Sequence, residues 1–149
     1  MLPWEEHLAS IDLDVVHYNY CFGCGSENPL GLKLRFEWDG TTARTTFTAQ
    51  KVHQGWPGTM HGGLLCAILD EAIGWAAYYQ GIKGVTGELV TRLKRPVLTG
   101  QTIVVEATSL KTSRKLVKTK AFISLPDGTV AAEAVGTIYV MPQSQEAIS

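Results

Sequence analysis

The feature that most constrains the fold of this chain is a long apolar segment at its centre, residues 60–80. Drawn as a helix, this segment carries apolar side chains around most of its circumference and lacks the polar stripe of a surface helix. The sequence therefore predicts one long helix that is buried nearly all round and is ended by Gly81 and Gly84. Other elements must cover that helix on most sides, and a curled sheet does so economically.

Six segments with strand character flank the predicted helix. Residues 32–38 alternate apolar and polar side chains with a period of two, and Asp39-Gly40 marks a hairpin turn into a second strand over 41–48. Four more strands are predicted after the helix, over residues 85–96, 102–111, 116–125 and 130–141. The sequence thus predicts an α+β fold in which an antiparallel sheet of about six strands wraps around one long buried helix.

The composition excludes several classes of function. The 149 residues suffice for one domain with a proper core, and a net formal charge of -1 argues against general nucleic-acid binding. The longest apolar stretch, residues 64–79, contains two acidic residues and is too short to span a bilayer. The N-terminus lacks the pattern of a secretory signal. We therefore expect a cytoplasmic protein that binds neither nucleic acid nor membrane.

Residues that can do chemistry concentrate at the start of the predicted helix. His61-Gly62-Gly63 opens it, and the two glycines allow a ligand to approach free backbone N–H groups closely. With the helix dipole behind them, the N–H groups of Gly62 and Gly63 suit a developing oxyanion. The same helix carries an isolated carboxylate pair, Asp70-Glu71, and a charge in such a helix requires a partner or a function. The pattern indicates backbone N–H groups that polarise an electrophilic group of the substrate and a carboxylate that acts as a base.

The order of the elements and these motifs resemble the hotdog fold, and more narrowly the phenylacetate-pathway-type acyl-CoA thioesterases. The matching pieces are Gly58-Thr59-Met60-His61-Gly62-Gly63, Asp70, Val85-Thr86, the strand 88–96 and Asp127-Gly128. The resemblance implies hydrolysis of an acyl-CoA thioester to a carboxylic acid and coenzyme A, without a metal or other cofactor. The resemblance covers residues 32–141, which we predict to be a hotdog domain. We predict that residues 1–31 form an N-terminal arm with the Cys-x-x-Cys turn and that residues 142–149 form a tail.

The resemblance also carries over residue roles. Asp70 takes the role of the acidic residue that acts as general base or nucleophile, and Glu71 is its competitor one position on. Thr86 matches the position at which relatives carry a Ser or Thr that helps to place the water or the acid. His61 could polarise the substrate, although a histidine before two glycines more often fixes the loop through hydrogen bonds.

Other residues are candidates for contact with the substrate. Several relatives have an asparagine six residues before the histidine, where this chain has Gly55, and two neighbouring polar residues could substitute for it. Basic side chains on the later strands could hold the phosphates of coenzyme A or form a solvated edge. Aromatic residues at the helix end could line an acyl or aryl pocket or pack in the core. The predicted substrate-binding residues are His53, Gln54, Glu71, Trp75, Arg92, Arg114 and Lys118.

Helix geometry predicts how the site is assembled. Gly62 and Asp70 are eight residues apart, which is about 12 Å along a helix. A carbonyl held at Gly62 cannot also lie within about 3 Å of Asp70 of the same chain. If both groups act on one thioester, they come from different subunits. We therefore predict a homo-oligomer, at least a dimer. The resemblance implies a hotdog dimer in which two such helices lie antiparallel and form two composite sites, and two such dimers can pair into a dimer of dimers.

Three cysteines, Cys21, Cys24 and Cys66, do not make a disulfide framework. Cys21 and Cys24 have the spacing of half a zinc ribbon, but the second Cys-x-x-Cys is missing and a structural zinc site needs four ligands. His7 or His17 could help to complete such a site, while packed thiols in a tight turn are the simpler interpretation. We predict no metal, and a cysteine pair that is not essential for hydrolysis.

Two other functions compete with hydrolysis. A non-catalytic acyl-CoA-binding or sensing protein could share the fold, but the presence of Asp70 and the lack of an added DNA-binding segment disfavour it. A hotdog dehydratase or hydratase would place a glutamate fourteen residues after His53, where this chain has Ala67. An apolar residue cannot do acid–base work, so this second alternative is the weaker one.

Overall fold

The computed structural model describes residues 3–11, 19–142 and 144, so that His17 and most of the predicted tail lie outside the described residues. The elements are α1 (Pro3–Ser10), β1 (Glu37–Trp38), β2 (Thr42–Thr48), a 3₁₀ turn (Lys51–His53), α2 (Gly62–Tyr78), β3 (Gly84–Leu93), β4 (Thr102–Thr112), β5 (Leu116–Ser124) and β6 (Val130–Val140). The strands form one antiparallel sheet in the order β1-β2-β4-β5-β6-β3. The predicted α+β class and six-stranded antiparallel sheet are confirmed.

Helix α2 packs against strands β2 to β6 and forms the centre of the core. Its fully buried residues recur at helical spacing and are Leu65, Ile68, Leu69, Ala72, Ile73, Ala76 and Ala77. Gly136 lets β6 approach the helix, because a Cβ at this position would lie 2.7 Å from Ile73 Cδ1. None of the helices among the described residues is long and apolar enough to cross a membrane.

The opposite face of α2 is only half-buried in the single chain, whereas its sheet-facing side is buried as predicted. Cys66, Ala67, Asp70 and Gly74 lie on this face and remain partly accessible in the single chain. Gly74 has open space beside it, since a Cβ there would meet no atom within 4 Å. One chain therefore covers the sheet-facing side of α2 and leaves a strip containing Asp70 within reach of a ligand or partner.

The first predicted strand, over residues 32–38, is a strand only at Glu37–Trp38. The alternation predicted burial correctly, because Leu32 and Leu34 are both in the core. Their backbone N–H groups, however, donate to Phe22 O (2.8 Å) and Gly23 O (2.9 Å) instead of to a sheet strand. The alternating segment thus binds the Cys-x-x-Cys loop and ties the N-terminal part of the chain to the core.

Strand β3 lies at one edge of the sheet and carries an irregularity beside Thr86. The pairing of β3 with β6 shifts register between Thr86 and Glu88. Gly87 lies over the ring of Tyr139, where a Cβ would come within 1.8 Å of Cε2, so a side chain cannot be accommodated without rearrangement. Such bulges re-aim neighbouring side chains. Here the bulge lies immediately beside Thr86.

Candidate active site

His61 holds the start of α2 in place. The residue is the helix N-cap, and its Nδ1 accepts a hydrogen bond from the Gly63 N–H at 2.9 Å. Its own backbone N–H donates to His53 O at 2.8 Å. Since Nδ1 is an acceptor, a neutral His61 ring carries its proton on Nε2. The hydrogen bonds match the loop-fixing role that a histidine before two glycines commonly has.

The cap also corrects the prediction that both glycine N–H groups are free. The Gly63 N–H is bound to His61, whereas no acceptor for the Gly62 N–H is found among the described residues. Gly62 lines a small cleft of about 370 Å³. The α2 dipole adds partial positive charge at this point. One backbone donor, at Gly62, is therefore available to a carbonyl oxygen.

The other walls of this small cleft come from the loop before the helix. They are formed by Gly55, Trp56, Thr59, Met60 and His61. A Cβ on Gly55 would lie 3.3 Å from His61 Cα, so a larger residue would crowd the N-cap. Trp56 is 84% exposed and was missed by the sequence analysis. One sequence signal could have identified it: Trp56 is a large aromatic residue in a loop of turn-forming residues, where it is not needed to pack a strand or a helix.

His53 and Gln54, the predicted substitutes for the missing asparagine, are both engaged within the loop. His53 Nδ1 accepts a hydrogen bond from the Gln50 N–H at 3.0 Å, and its ring lies 4.9 Å from that of Phe47. Burial lowers the pKa of His53 below its ordinary value. Gln54 Oε1 accepts from the Gly58 N–H at 2.9 Å. Neither side chain lines the cleft of Gly62.

Asp70 and Thr86, which are distant in sequence, line one larger cleft of about 540 Å³, which we call the Asp70 cleft. Its lining residues are Ile11, Cys21, Cys24, Asp70, Glu71, Gly74, Trp75, Tyr78, Gly84, Val85 and Thr86. The half-buried Asp70 carboxylate has no hydrogen-bond or ion-pair partner among the described residues. The carboxylate is therefore free to interact with a ligand.

The Glu71 side chain, unlike that of Asp70, contacts the loop that contains Cys21 and Cys24. Cys21 Sγ donates to Glu71 Oε1 at 3.5 Å, and a Cβ on Gly23 would lie 2.2 Å from Glu71 Cδ. Burial raises the pKa of Glu71 above its ordinary value, and hydrogen bonds from the Cys21 and Cys24 thiols oppose that shift. Burial, followed by the Glu71 charge, raises the pKa of the Cys24 thiol. The Glu71 carboxylate is thus held under the cysteine loop, a contact that the sequence analysis missed.

The aromatic residues at the end of α2 divide between cleft and core. Trp75 and Tyr78 line the Asp70 cleft, with their ring centroids 5.3 Å apart. Tyr79 turns inward, stacks on Trp38 at 5.5 Å and donates its hydroxyl to Phe36 O. Tyr79 therefore has the position of a core aromatic, whereas Trp75 lines the cleft and also packs against the core, with its ring centroid 6.3 Å from that of Phe36.

The basic candidates lie away from both clefts in the single chain. Arg92 on β3, Arg114 in the β4–β5 turn and Lys118 on β5 are all exposed. Lys118 lies opposite Lys111 in the β4–β5 register, so that two like charges are neighbours. None of the three lines the Asp70 cleft or the cleft of Gly62. The fold therefore does not bring them to the carboxylate within one subunit.

Comparison with known structures agrees with this geometry. The chain is similar to protein RHA08564, described as a thioesterase superfamily protein, with 28% identity and a TM-score of 0.75 over 79% of this chain and 62% of that one. It is similar to the Escherichia coli PaaI protein of the phenylacetic acid degradation operon, with 21% identity and a TM-score of 0.69 over 73% and 80%. The chain thus spans less than two thirds of the length of RHA08564.

A third structural relative is smu.793 from Streptococcus mutans UA159, solved bound to acetyl-CoA, with 16% identity and a TM-score of 0.69 over 72% and 87%. No curated protein sequence matches the chain. The family model described as the Thioesterase superfamily matches residues 57–132, from the loop before His61 into β6. Because that match spans more than half of the sequence, the chain belongs to the thioesterase superfamily, in the hotdog-fold branch that its motifs predicted.

Proposed function

We propose that the chain hydrolyses an acyl-CoA thioester to a carboxylic acid and coenzyme A. The observation that carries the proposal is the Asp70 carboxylate, half-buried in a cleft with Thr86 and without a partner among the described residues. The structural relative solved with acetyl-CoA supports this class of substrate. The free cysteines suit a reducing compartment, so the predicted cytoplasmic location is part of the proposal.

The site is proposed to be shared by two subunits. Gly62 and Asp70 lie on the same helix about 12 Å apart, which is too far for one carbonyl group to contact both. Two antiparallel copies of α2 would bring Gly62 of one subunit to Asp70 of the other. Such a dimer contains two composite sites.

Two surfaces of the single chain support this dimer. Strand β3 pairs only with β6 among the described residues, so its outer edge offers unpaired backbone groups. Val90 and Leu93 on that strand are 56% and 50% exposed. The neighbouring half-buried strip of α2 contains Asp70. Association through β3 and this strip would cover apolar surface and complete the site at once, and two such dimers could pair further.

The proposed reaction starts with the carbonyl oxygen of the thioester at the Gly62 N–H. Asp70 of the opposite subunit accepts a proton from water while the water oxygen adds to the carbonyl carbon. The resulting oxyanion is stabilised by the Gly62 N–H and the α2 dipole. The C–S bond then breaks, and the leaving thiolate takes the proton from Asp70.

Direct attack by Asp70 is the alternative route to the same products. The carboxylate would expel the thiolate and form a mixed anhydride, which water then hydrolyses. A single turnover in ¹⁸O-labelled water detects an anhydride that opens at the Asp70 carbonyl carbon, because the label then enters the Asp70 side chain. Label in the released acid alone fits both the base mechanism and an anhydride opened at the acyl carbon, and trapping with hydroxylamine separates these two, since only the anhydride gives an Asp70 hydroxamate or an acyl hydroxamate through a covalent intermediate.

The remaining candidates have supporting roles in this proposal. Thr86 places the water or orients Asp70 through its hydroxyl, and His61 is a positioning residue that holds the Gly62–Gly63 corner. The His61 cap occupies the Gly63 N–H, so Gly62 supplies the main donor. Trp75 contacts the acyl group in the Asp70 cleft. The exposed Arg92, Arg114 and Lys118 remain candidates for phosphate contacts in the assembled oligomer.

A panel of aliphatic and aryl acyl-CoAs, with release of free thiol as the readout, tests the proposed function. The expected result is turnover of at least one class by the wild-type chain and its loss in Asp70→Asn. Stoichiometric binding of acyl-CoA without thiol release would instead support the binding or sensing alternative. Neither binding nor release across the panel would overturn the proposal.

A further inference from the structure

The Cys-x-x-Cys loop and α2 bring three metal-ligating groups together. Cys21 Sγ, Cys24 Sγ and a carboxylate oxygen of Glu71 all lie within 4.8 Å of one another. Among the described residues, no cation forms an ion pair with Glu71. Three potentially anionic groups thus converge on one point in the wall of the Asp70 cleft, and a divalent cation would balance them.

The separation between the Cys21 thiol and the Glu71 carboxylate matches that imposed by a tetrahedral zinc ion. Bonds of about 2.3 Å to sulfur and about 2.0 Å to oxygen place a sulfur and an oxygen ligand about 3.5 Å apart, and two sulfurs about 3.8 Å apart. The observed distance from Cys21 Sγ to Glu71 Oε1 is 3.5 Å. These two groups can therefore coordinate one ion with little movement, and the Cys24 thiol lies within 4.8 Å of both.

The backbone holds the ligands in this arrangement. The Gly25 N–H donates to Cys21 O at 2.8 Å, which closes the loop between the cysteines, and the core segment binds the loop through Leu32 and Leu34. A Cβ on Gly25 would lie 2.4 Å from Asn19 O, so the turn requires a glycine there. Gly23 similarly leaves room for the Glu71 side chain. Such preorganisation reduces the ordering needed when an ion binds.

We propose that Cys21, Cys24 and Glu71 bind one Zn²⁺ ion. Two thiolates favour zinc over magnesium or calcium, and binding releases the two thiol protons to solvent. Because the three ligands line the Asp70 cleft, a water or a substrate atom from that cleft supplies the fourth ligand. His7 on α1 is exposed and does not belong to the group. This proposal revises the sequence-based expectation of no metal.

The ion would link the N-terminal part of the chain to α2 and fix one wall of the Asp70 cleft. The ion would also hold the Glu71 carboxylate away from Asp70, which is the preceding residue in the helix. The zinc proposal rests only on the arrangement of Cys21, Cys24 and Glu71. It therefore does not depend on the proposed function, and its test is metal binding.

The experiment uses the full chain, reduced and stripped of metal by a chelator, and then exposed to micromolar Zn²⁺ or Co²⁺. We expect one zinc per chain by elemental analysis and a thiolate-to-cobalt charge-transfer band in the near ultraviolet. Zinc should also raise the melting temperature of the wild-type protein. Loss of one of the three ligands, in Cys21→Ser, Cys24→Ser or Glu71→Gln, should weaken zinc binding roughly 100-fold or more.

Cys66→Ser is the matched control, because Cys66 lies elsewhere on α2 with its thiol 3.7 Å from Thr91 Oγ1. This variant should bind zinc as the wild type does. Circular dichroism identifies any variant that fails to fold. If the cysteine variants do not fold, zinc binding by the isosteric Glu71→Gln variant decides the test. Absence of zinc uptake by the reduced wild type would overturn the proposal, as would uptake unchanged in all three ligand variants. A Cys21–Cys24 disulfide that persists in reductant would overturn it too.

Discussion

Asp70 and Glu71 are adjacent carboxylates on one helix, yet the fold gives them different surroundings. A rotation of about 100° per residue separates their side chains. Asp70 faces a cleft with Thr86 and has no partner among the described residues, whereas Glu71 lies under the Cys21–Cys24 loop and contacts a thiol. The comparison shows that residue type does not decide the role of a carboxylate. Its neighbours do, and here they leave Asp70 available for chemistry.

The largest expected effect is that of Asp70→Asn. The substitution keeps the shape of the side chain but removes the anionic base or nucleophile. We expect kcat to fall by at least about 100-fold with little change in substrate affinity. Steady-state kinetics on the best acyl-CoA measures both parameters. A kcat near that of the wild type would show that Asp70 is not catalytic. It would also contradict the proposed difference in role between Asp70 and Glu71.

Gly62→Val tests the other half of the site. A branched side chain at the first residue of α2 would block the approach of the carbonyl to the Gly62 N–H, and kcat should fall roughly 10- to 100-fold. The new Cβ would also lie 3.0 Å from Leu93 Cδ1. Combining the substitution with Leu93→Ala relieves that contact. Restored activity in the double variant would show that crowding, and not loss of the donor, caused the defect.

Thr86→Ala is expected to have an intermediate effect. Removal of the hydroxyl should lower kcat by about tenfold, because the water or the carboxylate is less well oriented. Thr86→Ser is the matched control, since it keeps the hydroxyl and should retain most of the rate. Equal losses in both variants would indicate that the methyl group or the β3 bulge matters, and would exclude the proposed role of the hydroxyl.

The smallest effect is expected for Glu71→Gln, the counterpart of Asp70→Asn. Because Glu71 contacts the cysteine loop, removal of its charge should lower kcat by less than about threefold. Loss of a group that transfers a proton in the reaction would lower kcat much more. The same kinetic assay compares the two variants directly. If Glu71→Gln abolishes turnover while Asp70→Asn does not, the catalytic assignment is off by one residue.

Much of this fold could be predicted because its signals are local. The apolar segment, the alternating strands and the turn residues predicted the helix, the order of the elements along the chain and the antiparallel sheet. The segment 32–36 shows the limit of such signals. Its alternation reported which side chains are buried, but a period of two does not reveal whether the backbone pairs with a sheet strand or, as here, with Phe22 and Gly23.

The candidate site was predictable only in part for a similar reason. The motif led to Gly62 and Asp70, but the hydrogen bond from the Gly63 N–H to His61 depends on a side-chain rotamer that the sequence does not reveal. The contact between Cys21 and Glu71 joins positions 50 residues apart. Such contacts arise from tertiary packing, and so the different environments of the two carboxylates could not be read from the sequence.

The central claim is that Gly62 of one subunit and Asp70 of another act on the same thioester. The most direct test mixes Asp70→Asn and Gly62→Val chains after reversible dissociation and measures thiol release. Asp70→Asn alone should be nearly inactive, and Gly62→Val alone should retain at most about a tenth of the wild-type rate. A mixed dimer contains one site with both substitutions and one with neither, so the mixture should regain a substantial part of the wild-type rate. No recovery despite confirmed formation of mixed dimers, or full activity of the wild-type chain as a monomer, would contradict the shared site.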